Sequence, residues 1–295
     1  MLRTAMSYVL WPLLFGLCVA AVAVGMARGG EDGAKIAFCL AYAGLALAVG
    51  VLERVLPHER SWLEPDGQTF ANIAHTVLNK GAVGLLIFGI LALKTALMGD
   101  TAPEATLWPD DWPMWVQVPL GLAIAELGLY WAHRLAHEWA VLWPYHAVHH
   151  SVTRLWFVNT GRFHFVDTAV SVVLSQPILW LMGAPAAILL WVSAVTAFIG
   201  ILTHCNIEMR FGPVSWIFNT PGLHRWHHST ALEEGNTNYG ENLMLWDHAF
   251  RTFYNPDRRP PAKIGILTPM PETFLGQLAY PFRERRVPPA PAEAG

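Results

Sequence analysis

Long apolar stretches separated by short polar segments fill the first two thirds of the chain. A membrane-spanning α-helix needs about 20 mostly apolar residues, and four stretches are close to that length or longer. Two further stretches are separated only by Gly183-Ala184-Pro185, which predicts a tight helical hairpin that need not cross the whole bilayer. The pattern predicts an all-α integral membrane protein with about four transmembrane helices, near 6–27, 36–56, 73–98 and 115–132, and a hairpin near 169–184 and 187–204.

The first apolar stretch follows Arg3 and could be mistaken for a secretory signal. The run from Ala5 to Ala27 is much longer than the apolar region of a signal peptide, and no small-x-small cleavage site follows it. We therefore expect it to be the first membrane helix.

Composition agrees with a membrane protein, because 54% of the residues are hydrophobic, only 14% are charged, and the mean hydropathy is +0.34. The net charge of −3 gives no basic field, so no nucleic-acid partner is expected. The three cysteines, Cys18, Cys39 and Cys205, have no paired spacing, which argues against disulfides and cysteine-built zinc sites.

Charge asymmetry predicts the orientation. If the N-terminus is cytoplasmic, the outer loops are about 28–35 and 99–114, and the second contains four acidic residues and no lysine or arginine. Of the 19 basic residues, only Arg28, Lys35 and Lys94 fall near the outer side. The positive-inside rule then predicts that the polar segments 133–168 and 205–295 lie on the cytoplasmic side, where they form a helical cap. We expect the membrane to be a bacterial inner membrane.

Three histidine clusters lie just beyond the predicted membrane helices. Histidines four apart share one helix face, and the middle histidine of an HxxHH sequence is offset by about 100°, so one such cluster can serve two adjacent ions. Together the clusters supply eight imidazole nitrogens, enough for a di-metal site. They are His133 and His137, then His146, His149 and His150, then His224, His227 and His228.

Other residues extend this site. His204 ends the last apolar stretch and is placed to supply a ninth ligand, whereas His164 could be a ligand, a neighbour of a ligand or an interfacial residue. Neutral imidazoles do not cancel the charge of two divalent ions, so Glu138 or Asp167 is expected to help; the alternative for Glu138 is a salt bridge at a helix end. Outside the site, we expect structural roles for His75 and His248. We expect His58 to be a solvated loop residue.

The ordered set HRLAH, HAVHH and HRWHH resembles the fatty acid hydroxylase/sterol desaturase superfamily over roughly residues 54–262. Asn238-Tyr239-Gly240 and the segment from Leu245 to Thr252 strengthen the resemblance and make Asn238 and Asp247 possible supporting residues. The resemblance implies a non-haem di-iron centre, O2 as co-substrate, an external electron donor and a lipid substrate. Residues 133–138 also look like alkylglycerol monooxygenase, which uses a reduced pterin.

The chain departs from its relatives at three positions. Relatives commonly have Pro and Glu where Phe165 and Asp167 stand, and Gly where Arg251 stands. These changes leave the metal motif intact but bear on substrate shape and partner docking. We predict three parts: an N-terminal transmembrane hairpin at 1–56, a fatty acid hydroxylase-like catalytic domain at 57–262 and a C-terminal cytoplasmic tail at 263–295.

Three functions fit a histidine-rich membrane site. The first is an O2-dependent di-iron oxidase that hydroxylates or desaturates an unactivated C–H position of a fatty acyl, sterol or ether lipid. Imidazole also suits zinc, so zinc could replace iron in a sample. A di-zinc hydrolase fits poorly because the chain has no HExxH motif, and a divalent-metal transporter fits poorly because transporters place such ligands near the bilayer midplane. The sequence does not select the lipid, the carbon, the electron donor or the oligomeric state.

Overall fold

The apolar stretches form helices. The computed structural model describes residues 2–98 and 107–283. Ten α-helices, three short 3-10 helices and a few isolated β-bridges occur in this part. Their bounds are α1 Leu2–Val55, α2 Thr69–Met98, α3 Met114–Glu138, α4 Trp143–His150, α5 Phe165–Leu181, α6 Ala186–His204, α7 Pro221–His227, α8 Leu232–Gly235, α9 Leu245–Phe250 and α10 Phe274–Arg283.

Helix α1 folds back on itself at Gly29 and Gly30, whose backbone angles are not helical. Gly30 has a φ of 59°, which favours glycine, and the two arms approach so closely that a Cβ on Gly25 would lie 2.5 Å from the carbonyl oxygen of Gly33. The two apolar stretches predicted in this region are therefore the two arms of one hairpin.

Two helices are long and apolar enough to cross a membrane, by length and composition. They are α6 and the Ser7–Val55 part of α1, which has two arms. The predicted total of four spans stays a prediction. The predicted outer loop lies partly outside the described residues, including Asp100 and Glu104.

Helices α5 and α6 correspond to the last two predicted apolar stretches, but they make little contact with each other, so they do not form the predicted tight hairpin; α5 packs mainly against α3. Gly183 joins them with a φ of 81°, and its N–H donates to the carbonyl of Trp180 in the last turn of α5. Helix α5 has 17 residues, about 26 Å at 1.5 Å per residue, which is shorter than a hydrocarbon core of about 30 Å. Helix α6 packs against both α1 and α3 and supplies much of the main apolar core.

Short helices and loops cover the end of this bundle where α3 and α6 finish. Helices α4 and α7 lie there, with α8, α9 and their loops around them. The first part of the predicted tail is also folded: α10 contacts α2 and α4, and the buried Gln277 bonds to His75 at 3.1 Å. The tail residues from Val287 onward lie outside the described part.

The prediction that His58 is a solvated loop residue is wrong. Only 10% of its side chain is exposed, and its Nδ1 lies 2.9 Å from the Glu208 carboxylate. The His58 backbone N–H donates to the carbonyl of Asn206, so this residue ties the end of α1 to the segment after α6. Sequence analysis missed the contact because 150 residues separate His58 from Glu208.

Candidate metal centre

Four helices bring nine histidines together at the covered end of the bundle. Helix α3 carries two on one face of its last turns, α4 carries three, α6 ends with one, and α7 with its C-cap carries three. All nine are the predicted ligand residues. Eight of them are buried, and His137 is half-buried.

The nine histidines form two groups, and in each the ligand atoms lie within 4.8 Å of one another. Both HxxHH clusters divide between the groups, with the two histidines four apart in one group and the middle histidine in the other. The five-histidine group is His133, His137, His146, His150 and His227; the four-histidine group is His149, His204, His224 and His228.

The Nε2 atoms of these histidines face one another at short distances. His150 Nε2 lies 3.1 Å from the Nε2 of both His137 and His227, and His224 Nε2 lies 2.9 Å from that of His204. Two imidazole nitrogens that share one ion at about 2.1 Å and at right angles are about 3 Å apart. The buried Nε2 of His133 has no partner among the described residues. The donors therefore fit metal ions, and imidazole suits iron, zinc, copper and nickel.

Six of the nine histidines have a hydrogen-bond acceptor at Nδ1. Backbone carbonyls accept from three of them, and because a carbonyl can only accept, the proton must be on Nδ1 and the lone pair on Nε2. Such partners fix the tautomer and orientation of metal-binding imidazoles. The pairs are His133 with Tyr239 at 2.7 Å, His227 with Thr237 at 2.8 Å and His149 with Arg162 at 3.3 Å through carbonyls, and His137 with Asn236 at 3.1 Å, His146 with Asp167 at 2.8 Å and His204 with Asn159 at 2.9 Å through side chains.

One loop, residues 236–240, supplies three of these acceptors, and the predicted supporting residues hold it in place. Asp247 accepts from the backbone N–H groups of Tyr239 and Gly240, both at 2.8 Å. Asn238 has a φ of 53° and donates to the carbonyls of Leu223 and Tyr254. Neither residue belongs to a histidine group, so both position the loop rather than a ligand directly.

Burial keeps the imidazoles neutral. It lowers the pKa of five histidines, on α4, on α7 and at the C-cap of α7, well below the usual range, and neighbouring histidines lower it further. A neutral imidazole is the form that binds a metal, so no proton has to be displaced at neutral pH. The histidines concerned are His149, His150, His224, His227 and His228.

Two predicted site residues have other roles. Glu138 lies outside both groups and pairs with Arg134 at 2.9 Å, so the alternative of a helix-end salt bridge holds. His164 also lies outside both groups: its Nδ1 accepts from the N–H of Val166 at the start of α5, and its Nε2 lies 3.2 Å from the carbonyl of Leu278 in α10. His164 therefore caps one helix and docks another.

A cavity of about 240 Å³ lies beside the histidines. Members of both groups line it, and residues from α1, α2 and α6 line it on the side of the long helices, among them Tyr42, Thr76 and Ala197. The cavity therefore extends from the candidate metal centre toward the apolar helices.

Sequence reasoning missed several residues of the site. Asn236 could have been found, because it begins the polar run Asn-Thr-Asn-Tyr-Gly shortly after the third cluster. Asn159 and the carbonyl of Arg162 carry no such signal, because backbone acceptors and isolated asparagines have no distinctive spacing. Glu241, a carboxylate that lines the cavity, was also missed.

The fold and the site together define a class of protein: a helical protein with two adjacent histidine groups beside a cavity. Residues 118–252 match the fatty acid hydroxylase family. The chain is 49% identical over 288 residues to an ornithine lipid hydroxylase, OlsE, from Rhizobium tropici, which covers 96% of this chain and 86% of the relative. It is 32% identical over 152 residues to alkylglycerol monooxygenase from Xenopus tropicalis, 50% of this chain and 31% of that protein. No solved structure matches the chain significantly.

The chain belongs to the fatty acid hydroxylase family, as the three histidine clusters predicted, and is an oxidoreductase. The similarity to alkylglycerol monooxygenase is also confirmed, and it is local: the chain spans less than a third of that relative's length.

Proposed function

We propose that this protein is a membrane di-iron monooxygenase that hydroxylates a C–H position of an amino-acid-containing lipid. The observation that carries the proposal is the convergence of nine histidines in two groups that face one cavity. The identity to an ornithine lipid hydroxylase along nearly the whole chain supports the lipid class.

The proposed ligands are those of the five-histidine and four-histidine groups. Iron bound there would supply the reduction of O2 and the oxidant for the C–H bond. The overall reaction takes the substrate C–H, O2, two electrons and two protons to C–OH and water. The protein would hold the imidazoles by their Nδ1 partners and exclude water from the buried centre. The cavity would align one substrate carbon.

An external electron donor and a defined orientation complete the proposal. The electrons would come from a separate electron-transfer protein or a reduced pterin. We further propose a bacterial inner-membrane location with the N-terminus, the metal site and the C-terminus on the cytoplasmic side. Lipid would then reach the cavity from between the apolar helices, while electrons arrive from the aqueous side.

The test is oxidation of ornithine lipid under ¹⁸O2 by membranes that contain the protein. We expect a lipid product heavier by one labelled oxygen, and two iron ions per chain in the purified protein. His149→Ala and His227→Ala, one from each group, should each lower the iron content and abolish the product. His248→Ala, which changes a histidine outside both groups, should keep both.

Other outcomes separate the alternatives. Loss of two hydrogens without label would indicate desaturation, and hydrolysed lipid with bound zinc would indicate a hydrolase. Metal flux into vesicles without any lipid product would indicate a transporter. Full iron content in both histidine variants would contradict the ligand assignment.

A further inference from the structure

Glu241 lies at the cavity, directly after the loop that orients the histidines. Glu241 lines the cavity together with His133, His149, His204 and His224. Its carboxylate belongs to neither histidine group, so it is not among the atoms gathered closely enough to share an ion with them. Glu241 therefore faces the same space as the candidate metal centre without being part of it.

No donor reaches the Glu241 carboxylate among the described residues. The two charged groups that act on it are themselves acidic, Glu126 of α3 and Asp167 of α5. Both of these have partners: Glu126 accepts from the N–H and the side-chain amide of Asn242, at 2.9 and 2.8 Å, and Asp167 accepts from His146. Of the three neighbouring carboxylates, Glu241 is the one without a hydrogen-bond donor in the described part of the chain.

Two asparagines that line the same cavity also have unused acceptors. The side-chain oxygens of Asn219 and Asn242 are buried and have no hydrogen-bond partner in the described part of the chain, although each amide nitrogen donates. Each residue is only 1% exposed. Unpaired buried acceptors are costly and rare in folded proteins, and two of them in the same cavity as the Glu241 carboxylate indicate a ligand that brings donors.

A ligand for this place must be cationic and rich in donors. An alkylammonium group has one positive charge, three N–H donors and no acceptor, which matches one carboxylate and two amide oxygens. Calcium or magnesium fits less well, because these ions take six or more oxygen ligands and only one carboxylate lines the cavity. In the absence of such a ligand, burial raises the pKa of Glu241 to about 8.

We propose that Glu241, with Asn219 and Asn242, forms a subsite for the ammonium group of the substrate, which makes Glu241 a specificity-determining residue. This inference rests on the proposed function, because it takes the cavity to be the substrate site. Ornithine has two amino groups, so an ornithine lipid acylated at one of them still carries the other. The subsite would distinguish such lipids from neutral ones by the charged amine.

The test compares two lipids that differ only in that charge: ornithine lipid and the same lipid with its free amine acetylated. Dissociation constants are measured by native mass spectrometry on the purified full-length protein. We expect the wild type to bind the free amine at least about tenfold more tightly, the usual size of a hydrogen-bonded charge pair. Glu241→Gln should remove this preference and Glu241→Asp should retain part of it. Glu233→Gln, which changes an exposed glutamate on α8, should leave it unchanged.

Metal content and circular dichroism of each variant separate this role from others. Unchanged metal and helicity in Glu241→Gln, together with lost discrimination, support the subsite. An unaltered preference in that variant, or no preference in the wild type, would overturn it. So would loss of metal in parallel with lost binding, which would assign Glu241 to the metal centre. Charge discrimination without any labelled product would leave the subsite standing and reject the monooxygenase.

Discussion

At the scale of residues, the site depends on the acceptors behind the histidines as much as on the histidines. A histidine ring can present either nitrogen, and the Nδ1 partner decides that Nε2 faces the centre. Asp167 is the charged member of this set and bonds to His146 at 2.8 Å, with both side chains nearly inaccessible to solvent. Its carboxylate also places a negative charge next to a ligand that would share the charge of the ions.

We expect Asp167→Asn to weaken metal binding while the fold is kept. Asparagine can still accept from His146 but lacks the charge, and the loss of such a partner typically costs about 10- to 100-fold in metal affinity. Asp167→Ala should cost more than Asp167→Asn. Iron titration of the purified apo-proteins measures both. Equal affinities in all three proteins would show that Asp167 does not orient a ligand.

His58 is expected to make the fold sensitive to mild acid. Burial, followed by the charge of Arg225, lowers its pKa to about 4, whereas the unfolded chain has the ordinary value of 6.5. Between these values the unfolded chain binds a proton that the folded chain does not, so stability falls as pH falls from 6.5 toward 4, and His58 adds no pH dependence above about 7.

His58→Gln should therefore flatten the dependence of stability on pH. A single group of this kind contributes at most about 1.4 kcal/mol per pH unit. Thermal unfolding midpoints of the wild type and the variant in detergent, measured from pH 7 to pH 5, test this. The wild type should lose stability across that range more steeply than the variant, and parallel curves would contradict the assignment.

At the scale of elements, the centre is held by the packing of α3 against α5 and α6. Helices α3 and α5 approach closely at Gly128, because a Cβ there would be 2.1 Å from the carbonyl oxygen of Leu174. Only a glycine permits this approach. The end of α3 carries His133 and His137, and the start of α5 carries Asp167, so this crossing sets where a ligand pair and a supporting carboxylate lie.

Gly128→Ala should force α3 and α5 apart and destabilise the protein by about 1–3 kcal/mol or more, as overpacking commonly does. Because α3 carries two proposed ligands, metal content should fall as well. Gly16→Ala is the matched control, because nothing lies within 4 Å of the added Cβ in α1, and its effect should be within about 0.5 kcal/mol. Similar unfolding midpoints for both variants would show that the crossing tolerates a methyl group.

Sequence patterns indicated the helices and eight of the nine histidines because both depend on local spacing, and they indicated His204 by its place at the end of an apolar stretch. Apolar length marks a helix, and histidines three and four apart mark one helix turn. The patterns did not indicate the His58–Glu208 contact or the acidic surroundings of Glu241, because these depend on residues far apart in sequence. The patterns also did not decide whether Glu138 helps to bind metal or forms a salt bridge. Glu138 lies one helix turn after Arg134, with which it pairs, and it also lies next to His137, so its position fits either role.

At the scale of the whole molecule, the histidines connect helices that the chain order keeps apart. The five-histidine group joins α3, α4 and α7, and the four-histidine group joins α4, α6 and the end of α7. Without an ion, nitrogens that all carry lone pairs would face one another at about 3 Å in a buried place. Bound ions would replace that repulsion by bonds, and a ligand that binds only the folded state stabilises it in proportion to the logarithm of its concentration over Kd.

Removal of metal by a chelator should therefore lower the unfolding temperature of the wild type by several degrees, and added iron should restore it. Zinc should restore stability as well, because an all-imidazole site binds it at least as strongly as iron, but zinc should not restore lipid oxidation, because it has no redox chemistry. Differential scanning calorimetry and the labelled-oxygen assay on the same samples separate these effects. Since His149→Ala and His227→Ala each disrupt one group, each variant should respond less to the chelator than the wild type. If complete removal of metal left the unfolding temperature of the wild type unchanged, packing alone would hold the histidines together.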